Sequence, residues 1–163
     1  MKLDDHVRTN NNLETTRGNY GVCISMTTRW IKSTKETGGV TRVWQIGNPG
    51  AFLVQQAAGM IGQQRGDENI ILNSGLFIQS LHEDSVLVSL STEGFHIISI
   101  WNAAGSVGHS MGTWVSGNKF QFFDPNFGLY HAENLFSLTS DIISHCHFNY
   151  PDLTSRYIIR RVV

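Results

Sequence analysis

The stretch GHSMGTWVSGNKFQFFD, residues 108 to 124, constrains the fold more than any other part of the chain. HSMGTWV and KFQFFD are rich in strand-forming residues and flank Ser116, Gly117 and Asn118, a turn signal. The stretch therefore reads as a hairpin of two antiparallel strands. Its opening, GHSMG, also fits the pattern G-x-S-x-G, a nucleophile elbow in which Ser110 would attack. That elbow needs a helix straight after the serine and a parallel sheet around it. A hairpin follows instead, and too few residues remain for the βαβ units such a sheet requires. Histidines do follow at 131, 145 and 147, but the scaffold for a serine nucleophile does not.

The rest of the chain fits around this hairpin. In GVCISMTTRWIKSTKETGG, Val22, Met26 and Trp30 recur every fourth residue, and Gly38 and Gly39 supply a stop. The spacing predicts a helix with Cys23 in its first turn. Pro49 opens a second helical pattern carrying Phe52, Leu53, Gln56, Ala57, Met60 and Ile61. NIILNSGLFIQSLHE fits helix or strand. SVLVSLS alternates apolar and polar residues, and FHIISIW is β-branched and aromatic, so both read as strands. AENLFSLTSDIISHC returns to helical spacing, and RYIIRRVV reads as a last strand. Helices first, then a run of strands, then a helix and a strand make an α+β fold with an antiparallel sheet. Residues 1–19 are polar, rich in Asn and Thr, and without periodicity. They read as a tail or linker ahead of a single domain over 20–163.

The 163 residues suffice for one core, and a net charge of −1 with a pI of about 6.6 gives no basic excess for nucleic acid or an anionic membrane. No apolar run approaches the roughly 20 residues of a spanning helix. The N-terminus lacks an apolar h-region, so no Sec signal is visible. Two cysteines, Cys23 and Cys146, make no disulfide framework.

Cys23 carries the most chemistry. A helix N-terminus and a neighbouring imidazole both favour a thiolate nucleophile. His109 can supply the imidazole if the strands pack on the first helix. Asp124 ends the strand that returns from His109, where its carboxylate can reach that ring. A buried cysteine, a strand histidine and a turn-forming aspartate are the separate structural alternatives. His145, Cys146 and His147 form an HCH run that suggests metal. Neighbours on a helix point apart, however, so the run reads as a helix end near the surface. His96 reads as a strand histidine with a hydrogen-bonded ring.

The order Cys, His, Asp on helix then sheet matches the papain-like clan. Within it, GVCISMTTRWI, GHSMGTW and FFDPNFG resemble the nucleophile, histidine and acid motifs of the YopT-type bacterial effector cysteine proteases. The resemblance spans about residues 19–163. It implies a papain-like fold, with Cys23 as nucleophile, His109 as base and acid, and Asp124 as its orienter. Ser110 is then a small neighbour of the base. For the oxyanion, Asn19 is the nearest upstream amide, because the position six before Cys23 is Arg17. The resemblance implies a protein substrate in a cell targeted by a bacterium, cleaved at a peptide bond without cofactor or metal. Secretion would occur without a Sec signal, action would be in the target-cell cytoplasm, and an immunity protein or chaperone is a candidate partner. The same machinery serves a protein glutamine deamidase or a cell-wall amidase. A binding module that keeps the fold is the non-enzymatic alternative.

Overall fold

A computed structural model describes residues 1–11, 22–48, 50–52, 54, 66–83 and 86–163. Among them, β1 (Lys2–Arg8), β2 (Ile78–Glu83), β3 (Gly94–Trp101), β4 (Gly108–Ser116), β5 (Lys119–Asp124), β6 (Gly128–Ala132) and β7 (Arg156–Val162) form one sheet. Every pairing is antiparallel, and the order across the sheet is β1-β6-β5-β4-β3-β7-β2. The helices are α1 (Cys23–Thr37), α2 (Gly66–Asn73), α3 (Val86–Leu90) and α4 (Leu135–Asn149).

Successive strand residues point to opposite faces, so the sheet feeds two cores. On one face Ile97 and Phe123 meet Trp30 and Ile31 of α1 and Ile70 and Ile71 of α2. On the other, Ile98, Met111 and Phe122 meet Val86 and Leu90 of α3 and Leu138, Ile142 and Cys146 of α4. Each core buries enough apolar surface to hold its helices against the sheet.

The two glycines of GHSMG are explained by packing. A Cβ on Gly112 would lie 2.7 Å from the Trp30 ring, and one on Gly108 would lie 2.6 Å from the Trp101 ring. The pattern that suggests a serine elbow is thus a strand carved to admit two tryptophans. Gly112 lets α1 sit close on β4.

Several expectations meet the structure directly. The α+β order and the hairpin hold, with β4 and β5 joined across Gly117 in a left-handed conformation. Cys23 opens α1, and Gly38 caps that helix with φ +75°. The ambiguous segment splits into α2 and β2. Residues 2–8, expected as tail or linker, instead form β1 at the sheet edge, paired with β6. Only Val7 of this strand is buried, which suits a charged edge strand and leaves little periodicity to read. SVLVSLS, expected as a strand, folds as the short helix α3. Val86 and Leu90, four apart, are buried while Val88 is exposed. Most of the second helix expected from Pro49 onward lies outside the described residues, although 50–52 are helical.

Candidate active site

The three residues singled out in the sequence meet at one end of the sheet. Cys23 is the first residue of α1 and is half-buried. No side chain caps this end at Val22, so the first-turn N–H groups bring their positive dipole to the sulfur. His109 lies near the start of β4, beyond the stretch that pairs with β5. Asp124 closes β5. Both point to the α4 side of the sheet, and both are buried.

His109 Nε2 donates to Asp124 Oδ1 at 2.8 Å. The Cys23 sulfur is near enough to the same ring to favour its charged form. Burial works against a charged His109, yet the Asp124 carboxylate and then the Cys23 sulfur outweigh it and push the imidazole up to about 10. Burial also opposes charge on Asp124. The His109 charge, the hydrogen bonds from His109 and His145, and the Asn126 N–H outweigh it and hold the carboxyl well below its ordinary range.

The sequence missed further parts of this site. His145 is not a surface helix end: its Nε2 donates to Asp124 Oδ2 at 2.7 Å. The Tyr150 hydroxyl donates to the same oxygen at 2.8 Å, and its ring packs 4.6 Å from that of His109. A signal was present, since His145 stands three residues after Ile142 and seven after Leu138, on the buried stripe of α4. The other members of the HCH run diverge. Cys146 is buried in the core, where burial and then the Asp124 charge push its thiol up to about 12, and His147 is exposed.

A second surprise is the segment after β1. The Asn11 N–H donates to the Pro125 carbonyl at 3.0 Å, and its Oδ1 accepts the Val22 N–H at 3.0 Å. The Thr9 hydroxyl donates to the Asp124 backbone carbonyl at 3.3 Å. Residues expected to be linker thus tie the acid loop to the start of the nucleophile helix. Asn19, the upstream amide expected at the oxyanion, lies outside the described residues.

Ser110 stands one residue from His109 and faces the other way. It is 3% exposed, with its hydroxyl 2.9 Å from that of Ser99. The backbone alternation that presents His109 to Cys23 hides Ser110. His96 is buried beside Thr113 Oγ1, 3.3 Å from its Nδ1, and burial, then Arg161 and His82, push it down to about 4.

A family model for peptidases, described as Yersinia/Haemophilus virulence surface antigen, matches residues 83–150. That span holds His109, Asp124 and His145. The chain resembles the YopT-type cysteine-protease effectors. No curated protein sequence matches it. Among solved structures it is similar to the Pseudomonas avirulence protein AvrPphB, with a TM-score of 0.66 at 14% identity. The match covers 98% of this chain and 97% of that one. The expected fold class, a papain-like α+β arrangement with Cys23 at the start of a helix packed on an antiparallel sheet, is the one observed. The resemblance to YopT-type proteins supports a cysteine protease of the effector kind. No helix among the described residues is long and apolar enough to cross a membrane.

Proposed function

We propose that this domain is a cysteine protease in which Cys23, His109 and Asp124 act as nucleophile, base and orienter. The observation that carries the reading is His109, held by the buried Asp124 carboxylate at 2.8 Å at the end of the sheet where Cys23 opens α1. The Cys23 proton rests on His109, and Sγ attacks the scissile carbonyl carbon. The tetrahedral oxyanion is met by the Cys23 N–H, with Asn19 proposed as second donor. The proton then passes from His109 to the departing amine as the C–N bond breaks, leaving a thioester. Water, deprotonated by His109, releases the acid and frees the thiol.

By analogy with virulence peptidases, the substrate is a protein of a cell attacked by a bacterium, and cleavage occurs in that cell's cytoplasm after secretion. An immunity protein or chaperone as companion belongs to the same proposal. Intact-mass spectrometry of target-cell lysate, treated with wild type or Cys23→Ala, tests it. New protein termini that appear with wild type alone support a protease. A gain of about one dalton without new termini assigns a glutamine deamidase instead. Identical spectra, with Cys23 and Cys146 reacting equally slowly with iodoacetamide, leave a binding module.

A further inference from the structure

The Asp124 carboxylate meets two imidazoles, and one of them, His109, is near the Cys23 sulfur. Oδ1 accepts from His109 Nε2 at 2.8 Å and from the Asn126 N–H at 2.9 Å. Oδ2 accepts from His145 Nε2 at 2.7 Å, whereas the Tyr150 hydroxyl sits between the groups, 2.8 Å from Oδ2, 3.0 Å from Oδ1 and 3.1 Å from His109 Nε2. We propose that His145 is a positioning residue for the reaction at Cys23: it holds Oδ2 so that Oδ1 stays on His109. The proposal rests on the protease reading above and adds a fourth side chain to it.

A carboxylate turns easily about its last bond. Without His145, Oδ2 keeps, among the described residues, only the Tyr150 hydroxyl, which meets both oxygens and does not fix the carboxylate plane, so the group can swing away from His109. Donors on both oxygens remove that freedom. The His145 ring is itself wedged edge-on against Phe122, Phe127 and Tyr130, with centroids 5.3, 5.2 and 5.4 Å away. It is a stiff donor on the buried stripe of α4.

The other side of His145 is also held. Asn149, one turn later on α4, places its amide Nδ2 3.3 Å from His145 Nδ1 and 3.0 Å from the His145 carbonyl. With both ring nitrogens engaged, the ring cannot turn away from Asp124. The polar groups around this carboxylate come from four elements and the acid loop: Cys23 from α1, His109 from β4, Tyr130 from β6, Asn126 from the loop, and His145, Cys146, Asn149 and Tyr150 from α4 and its end.

Alkylation of Cys23 by iodoacetamide, followed by peptide mass spectrometry across pH, tests the proposal on the full chain. Wild-type Cys23 is expected to react far faster than Cys146; equal, slow labelling would overturn this proposal and the protease reading together. Given a fast wild type, His145→Leu should slow Cys23 by about tenfold at neutral pH, the cost of one hydrogen bond to a charged group. The pH profile of its rate should differ in shape from that of the wild type. His145→Gln, which returns an N–H donor near the place of Nε2, should recover most of the rate. A folded His145→Leu protein with the wild-type rate and profile overturns the proposal and leaves the protease reading standing. If His145→Leu does not fold, Asn149→Asp decides. Its carboxylate competes with Asp124 for the His145 ring, so the neutral-pH rate should fall; an unchanged rate overturns the proposal.

Discussion

His109 and Ser110 are neighbours on β4, yet they belong to two buried polar clusters on opposite faces of the sheet. Each cluster is built on an aspartate. On the His109 side, Asp124 takes imidazole, hydroxyl and backbone donors at 2.7 to 2.9 Å. On the Ser110 side, Asp67 of α2 receives, among the described residues, the Ser99 and Ser110 hydroxyls at 3.3 and 3.4 Å. The acids shift in opposite directions. Burial pushes the Asp67 carboxyl up, because the Arg160 charge and two long hydroxyl bonds do not offset it. Asp124 is held down because its donors are short and one is an imidazole able to carry charge. Burial therefore does not decide whether a carboxylate is an ionised tool or a structural group; the strength of its donors does.

Changing one residue on each side breaks or sharpens this contrast. Asp124→Asn has the largest expected effect, a fall in turnover on the order of 10²- to 10⁴-fold through a misdirected His109, measured as kcat/KM on a cleaved substrate. Wild-type turnover would remove Asp124 from the mechanism. Next comes the pH dependence of stability. His109 is raised, so its contribution is full below about 6.5 and is lost as pH rises through about 10. Asp124 is lowered, so its contribution is present above about 3.9 and is lost as pH falls further. Melting temperatures should form a plateau between these limits, and Asp124→Asn should flatten both edges. Asp67→Asn should leave turnover within about twofold and keep or raise stability at pH 7, since it removes a carboxyl whose ionised form burial disfavours. A marked loss of turnover would give the second cluster a part in the chemistry. Ser110→Ala is the mildest, with activity within about threefold, because its hydroxyl only links Ser99 and Asp67. Complete loss would revive a serine nucleophile.

The sequence made this contrast half legible. Cys23, His109 and Asp124 stand in motifs whose neighbours fix their local structure: a helix start, a strand start and a strand end. The hairpin turn at Gly117 does the rest, setting a short there-and-back path between His109 and Asp124. His145 escaped because its partner is 21 residues away in sequence. A run of His, Cys and His also draws attention to metals before hydrogen bonds. β1 escaped for a different reason. An edge strand needs one buried side chain, Val7, and a chain with so little apolar content shows no period. The helix α3 was misread because five residues carry too little pattern to separate a period of two from one of three to four.

The sheet order places the first strand beside the sixth and the second beside the seventh. Cys23 leaves the ribosome early, whereas His109, Asp124 and His145 follow some 85 to 120 residues later. Thr9 and Asn11 find their partners only after the acid loop exists. The buried polar cluster around Asp124 is therefore drawn together from segments far apart in the sequence, and it is complete only once the hairpin and α4 have been made.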